Sequence, residues 1–177
     1  MRYIFFVAIA LCSFGCGGDS APSGPVRTLH KVSADRVFSA ENREDKFVAI
    51  LRGSDTLDAQ VYVRIMQVPR NDIYLDSFPV EALLDSGLMP ASDGVVDDAT
   101  RKQYIISRLD DLFDGDNFIR PASQLIELDG KQLEDEAIVD ELQSRPRAVA
   151  FFYPTEKDRN RYIVFSEAKE GVIRLHE

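Results

Sequence analysis

The sequence predicts a mainly β domain, an antiparallel β-sandwich with helical insertions, behind a secretory N-terminus. Three observations carry that expectation. Gln60-Val61-Tyr62-Val63-Arg64-Ile65-Met66-Gln67-Val68 alternates apolar and polar side chains with the period of a half-buried strand. Ala148-Val149-Ala150-Phe151-Phe152-Tyr153, Arg161-Tyr162-Ile163-Val164-Phe165 and Val172-Ile173-Arg174-Leu175 are apolar runs parted by short polar turns, as in an antiparallel meander. Between these two regions the apolar spacing changes to steps of three and four residues, which is helical.

The chain opens with Met1-Arg2, an apolar run over 3–11 that is too short to span a bilayer, and Ser13-Phe14-Gly15-Cys16. This is the layout of a bacterial lipoprotein signal, beside the plainer reading of an ordinary signal peptide or an uncleaved N-terminal anchor with Cys16 incidental. Residues 1–15 are read as the signal peptide, and Cys16 as the lipidated first residue of the mature chain. Gly15 is the small residue such a signal wants, whereas Ser13 stands where leucine is commonest. Cys12 directly follows Leu11 at the end of the apolar run and leaves with the signal. Gly17 rather than an aspartate follows Cys16, which in a diderm bacterium favours the outer membrane by resemblance to the usual sorting rule. Residues 16–25 form a tether rich in Gly, Ser and Pro. Residues 26–177 are expected to be one periplasmic domain, with no internal repeat or second linker.

The elements of that domain follow in order. Phe47-Val48-Ala49-Ile50-Leu51 is a short strand ending at Arg52-Gly53, and the polar loop Ser54-Asp55-Thr56-Leu57-Asp58 leads into the alternating strand from Gln60. Pro69-Arg70-Asn71-Asp72 breaks the run. Pro79-Val80-Glu81-Ala82-Leu83-Leu84 reads as a short helix with Pro79 in its first turn. Asp97 or Asp98 caps a longer helix, with Ile105, Leu109, Leu112 and Phe113 on one face. Gln124-Leu125-Ile126-Glu127-Leu128 is a strand candidate, and 134–142 a third helix.

Composition narrows the function. Hydrophobic residues make up 45% of the chain, enough for a core, and no cysteine follows Cys16, so the domain has no internal disulfide. The formal charge is −9, and loss of Arg2 with the signal leaves the mature domain more acidic still. An acidic domain with no basic cluster is a poor candidate for nucleic acid or an anionic membrane surface. No second apolar run reaches spanning length.

Catalytic patterns are few. The two histidines, His30 and His176, lie near opposite ends of the domain, and no cysteine or further histidine stands near either to complete a zinc site. There is no Gly-x-Ser-x-Gly elbow, phosphate-cradling glycine loop or His-Glu-x-x-His helix. Neither an enzyme nor a cofactor is expected. Asp110-Asp111-Leu112-Phe113-Asp114-Gly115-Asp116-Asn117 invites a calcium reading. With Gly115 at the sixth position of an EF-hand loop, Leu112 and Pro121 fall on ligand positions, so the motif fails. An irregular oxygen-ligand site stays open beside the plainer reading of a solvated loop. Asp93-Gly94 and Asp97-Asp98 read as a turn followed by a helix cap.

Ala59-Gln60-Val61-Tyr62-Val63-Arg64-Ile65-Met66-Gln67-Val68 resembles a strand of the type VI secretion outer-membrane lipoproteins (the TssJ, VasD or SciN family). The family strand reads valine-x-valine-arginine-[Ile/Val]-tyrosine-glutamine-leucine. Val61, Val63, Arg64, Ile65 and Gln67 fit; Met66 replaces the tyrosine and Val68 the leucine. Tyr74-Leu75-Asp76-Ser77-Phe78 and Val80-Glu81-Ala82-Leu83-Leu84 resemble the aromatic stretch and short helix of that family. Phe118-Ile119-Arg120-Pro121-Ala122-Ser123-Gln124-Leu125 and the hairpin over 148–164 resemble its later blocks. The chain departs from the family in having no tryptophan, where Arg161-Tyr162 is the nearest equivalent of a Trp-Arg pair. It also lacks the glycine after Pro121, and its connection over 85–108 is longer.

The resemblance implies a transthyretin-like sandwich with added helices, and a structural rather than catalytic role in the secretion membrane complex. Cys16 would hold the protein in the outer membrane, facing the periplasm. The domain would bind the periplasmic part of a large inner-membrane subunit (TssM type). The family uses the loop between its first two core strands, which maps onto Gly53, Ser54, Asp55, Thr56, Leu57 and Asp58. From the residues alone, that loop is a hairpin connection built of turn formers. The rival expectation is a periplasmic lipoprotein that binds a small ligand or peptide, or inhibits an envelope enzyme. A hydrolase is a weaker third.

Overall fold

A computed structural model describes residues 25–67, 71–85, 87–88, 96–128, 130–157 and 159–176. The expected signal, Cys16 and the tether up to residue 24 lie outside the described residues, as do Pro69-Arg70 and Asp93-Gly94. The fold is mainly β, with two four-stranded antiparallel sheets and a small ribbon. The first sheet is a meander of β1 (Arg27–Ala40), β2 (Arg43–Gly53), β3 (Gln60–Gln67) and β4 (Asn71–Pro79). Helix α1 (Asp98–Asp110) follows, then β5 (Phe118–Ile119), the β6–β7 ribbon (Glu127–Leu128, Lys131–Gln132) and α2 (Glu136–Ser144). The second sheet takes the order β10-β9-β8-β5, with β8 at Ala150–Glu156, β9 at Arg159–Ser166 and β10 at Gly171–His176.

Side-chain parity explains how the layers stack. Phe47, Ala49 and Leu51 of β2, and Val61, Val63 and Ile65 of β3, are almost wholly buried and point toward the second sheet. Phe151, Tyr153 and Ile163 meet them from β8 and β9. Phe47 is the hub, with its ring edge-on to Phe38, Phe113, Phe118 and Phe151 at 5.3–5.6 Å between centroids. Such edge-to-face contacts add about 0.5–1.5 kcal/mol per pair to the burial itself. On the far side of the second sheet, Ala150, Val164 and Leu175 form another apolar cluster. It is roofed by Ile138 and Leu142 of α2 and by Ala122 and Leu125. The order is therefore first sheet, second sheet, helical layer.

The alternating strand from Gln60, the closing meander and the Asp97 cap stand as expected. Asp97 Oδ1 accepts the Thr100 N–H at 2.9 Å, and Ile105 and Leu109 are buried. Leu112 and Phe113 share that buried face from a 3-10 turn beyond the helix. The short helix after Pro79 is a 3-10 turn, Val80–Leu83. The third helix is shifted to Glu136–Ser144 because Asp135 accepts the N–H groups of Ala137 and Ile138.

Three expectations need correction. β1 precedes the strand expected at Phe47, and it extends β2 back to Arg43 by pairing with it. Asn71, expected to lie in a break, opens a fourth strand that pairs with β3 from Gln67 to Gln60. The strand expected over 124–128 is mostly a 3-10 turn, Ala122–Leu125, and only Glu127 and Leu128 pair with a neighbour. Packing decided that case. Leu125 is drawn under α2, and the Ala122 N–H donates to the Ala148 carbonyl at 2.8 Å.

Replacing Phe47 with alanine removes the hub and is expected to cost about 3–5 kcal/mol. Leu75→Ala, at a side chain 65% exposed, should stay within about 0.5 kcal/mol. Guanidinium unfolding of both variants checks the pair.

Candidate functional site

The loop singled out by the resemblance joins β2 to β3. These are the second and third strands of the sheet, because β1 comes first. Gly53 is buried there, and a Cβ at that position would stand 3.0 Å from both Cα and Cβ of Ala59. Glycine therefore lets the chain fold back this tightly. Asp55 Oδ1 accepts the Leu57 N–H at 2.9 Å, which starts the 3-10 turn Thr56–Asp58, and Oδ2 accepts from Lys102 Nζ of α1 at 2.6 Å. The Leu57 N–H, followed by Lys102, holds the Asp55 carboxyl below its ordinary value. Leu57 packs half-buried against the core, and the Ala59 carbonyl accepts the Val80 N–H at 3.1 Å. Ser54 and Thr56 are half-buried and Asp58 is exposed. The loop is thus a braced turn that offers hydroxyl and carboxylate acceptors in a fixed frame.

A second constellation gave no signal as a motif. β4 supplies Tyr74 and Asp76, β8 Tyr153, β9 Arg161 and β10 Arg174. Tyr153 and Arg161 both donate to Asp76 Oδ2, the Tyr74 and Tyr153 hydroxyls lie 2.6 Å apart, and Arg174 Nη2 stands 3.7 Å from Asp76 Oδ1. Only 11% of the Asp76 side chain and 16% of the Arg161 side chain reach solvent. Burial alone would raise the Asp76 carboxyl. Donation from Tyr153, Arg161 and the Ser77 N–H outweighs it and holds the carboxyl below its ordinary value of 3.8. Burial, reinforced by Asp76 and Tyr74, pushes the Tyr153 phenol far above its ordinary value. Such a phenol is no base at neutral pH, and the cluster is an ionic clamp between the sheets. Its one trace in the sequence is parity, since Asp76 shares the inward side of β4 with Tyr74 and Phe78.

A polar cleft of about 300 Å³ lies between the Val80–Leu83 turn, the end of α1 and the β8–β9 hairpin. Asp85 dominates its rim, accepting from Tyr104 at 2.5 Å, Arg108 at 2.8 Å and the Gly87 N–H at 2.9 Å. Arg159 and Asn160 face it from the hairpin. In the acidic stretch, Asn117 turns its amide onto the Asp111 and Leu112 carbonyls and closes the end of α1. His30 Nε2 lies 2.7 Å from Asp110 Oδ1. Among the described residues no three His, Cys, Asp or Glu side chains are grouped to hold a metal ion.

No family model, curated protein or solved structure matches the chain.

Asp76→Asn leaves Arg161 facing a neutral partner in a buried place and is expected to cost about 3–5 kcal/mol at pH 7. A depressed carboxyl stabilises the fold fully above the unfolded value and loses that effect as pH falls through the folded one. The gap to wild type should therefore hold from pH 7 to about pH 5 and close only below roughly pH 4. Urea unfolding across that range tests it, and a gap that closed nearer neutrality would contradict the assignment.

Proposed function

We propose that this protein is a structural lipoprotein of the bacterial outer membrane. In this reading it holds the periplasmic domain of an inner-membrane secretion subunit, as the type VI outer-membrane lipoproteins do. The observation that carries the reading is Cys16, which sits where the apolar signal gives way to a Gly/Ser/Pro tether ahead of a β domain. Several acyl chains on one cysteine hold a protein firmly at a bilayer. Anchoring also raises the effective concentration of a weakly bound partner.

The braced loop supports the same reading. A turn already locked by Asp55, Lys102 and Gly53 gives up little conformational freedom on binding. The two antiparallel sheets are compatible with the transthyretin-like sandwich that the family implies. The clamp lets a disulfide-free domain bear tension between two membranes. A second reading, binding of a small polar ligand, is favoured by the cleft beside Asp85 and Arg108, whose volume falls at the small end for ligand sites.

Cys16→Ser should yield a folded protein in the soluble periplasmic fraction, and recovery of that variant with membranes would refute the anchor. Detergent-solubilised wild type should co-purify an inner-membrane secretion subunit. Asp58→Lys should lose that partner without a change in unfolding midpoint. Arg108→Ala should leave the complex intact if the loop is the contact, whereas loss of a soluble ligand in Arg108→Ala would favour the cleft.

A further inference from the structure

Among the described residues, one sheet face carries no covering layer. The inner faces of both sheets meet in the aromatic core, and the outer face of the second sheet lies beneath α2. The outer face of the first sheet carries no such layer, although Val48 within it is only 5% exposed. Lys31, Ile50, Tyr62 and Ser77 lie in register across it, and Ser33, Val48, Arg64 and Leu75 form the next row.

We propose that this face rests on an anionic phospholipid surface, an inference that builds on the lipid-anchored reading of Cys16. The exposed large apolar side chains among the described residues are Val26, Tyr62 and Leu75, at 63%, 43% and 65%. Tyr62 and Leu75 stand on the bare face. Val26 immediately precedes β1, at the end of the sheet where Arg52 pairs with Thr28. Tyr62 and Leu75, with Ile50 and Arg64, border a shallow, mainly apolar depression of about 470 Å³.

Four cations surround that apolar centre. Lys31, Lys46, Arg52 and Arg64 all point outward and are exposed, and the Arg52 guanidinium lies 5.8 Å from the Tyr62 ring centroid. The rows from Arg52 to Leu75 hold no carboxylate. Asp35 and Asp72 enter in the following row, opposite Lys46 and against Arg64 at 2.5 Å. Beyond Arg52, the loop brings in Asp58. On a chain of formal charge −9, this is a face on which cations outnumber carboxylates. Tyrosine and leucine framed by lysine and arginine suit the head-group boundary, where each cation near the surface adds attraction.

The chain's own geometry brings the lipid to this face. Arg27 opens β1 at the edge of the same sheet. The stretch of chain from Cys16 to Arg27 reaches about 36 Å at ~3.3 Å per residue, so an anchored domain can lay its first sheet flat. An acidic protein is the alternative occupant that the same charges suit, and vesicle binding distinguishes the two.

The sequence has no tryptophan, so Leu75→Trp provides a single fluorescent reporter at the centre of the face. The chain beginning at Cys16 is coupled through that thiol to a maleimide lipid in vesicles. On equal phosphatidylglycerol and phosphatidylcholine, the indole emission of the Leu75→Trp variant should shift to the blue and be quenched by brominated acyl chains. On phosphatidylcholine alone it should stay water-like. Adding Lys31→Ser and Arg52→Ser should lower the docked-to-undocked ratio roughly thirtyfold. A separate Gln143→Trp reporter on α2 should remain unquenched throughout. Water-like emission from the Leu75→Trp variant on the anionic vesicles would overturn the proposal and leave the face to a protein. Equal quenching of the α2 reporter, or indifference to the two serine substitutions, would also overturn it. The coupling is chemical, so a negative result leaves natural lipidation untouched. Failure of the Cys16→Ser fractionation would in turn leave this measurement unaffected.

Discussion

Everything in this domain depends on the contact between the inner faces of two sheets that no disulfide joins. Phe47 sits at the middle of that contact, almost without solvent access, against rings from β1, β5, β8 and the turn after α1. Burial of these faces supplies the driving force, and the edge-to-face rings limit how the layers can slide. The Asp76 clamp completes the arrangement at the β4 edge. There a carboxylate on an inward position is tolerated because Tyr153 and Arg161 both donate to it. A buried charge with such partners contributes less to net stability than to the uniqueness of the packing, which it makes costly to shift.

The helices owe their places to the same contact. α1 lies at one end of the sandwich, where Ile105, Leu109, Leu112 and Phe113 join the central core. From there Lys102 reaches Asp55 and Tyr104 reaches Asp85. The loop proposed to hold a partner and the polar cleft are therefore both braced by one helix. α2 takes the outer face of the second sheet, and among the described residues the outer face of the first sheet has no such layer.

Much of this was legible in the residues. β3, with strict alternation along its length, and the closing meander, with its apolar runs and short turns, are carried by local pattern strong enough to survive any packing. The Asp97 cap is equally local. β1 was hidden because its inward side chains, among them Val32 and Ala34, are interrupted by charges and a bulge between Thr28 and His30. Its strand character comes from pairing with β2, which no window of its own sequence displays. β4 was hidden by the break signals just before it, and Gln124-Leu125-Ile126 misled because a short apolar run serves a buried turn as well as a strand.

Residue order and composition are enough to read the apolar run ahead of Cys16, the Gly/Ser/Pro stretch after it, the acidic balance and the mainly β character. Each of these is a property of neighbouring residues or of the chain's overall make-up. The clamp and the bare cationic face came only from the packed fold, since both draw on strands far apart in the chain. Asp76, Tyr153, Arg161 and Arg174 become neighbours only when the sheets stack. Lys31, Lys46, Arg52 and Arg64 form no basic cluster along the chain, yet antiparallel pairing sets them on one surface with Tyr62 and Leu75. The expectation that an acidic chain without a basic cluster suits an anionic membrane poorly rests on overall charge, whereas the proposed docking rests on how strand pairing distributes that charge. Strand pairing assigns charge to faces, and a face rather than the whole chain is what a membrane meets.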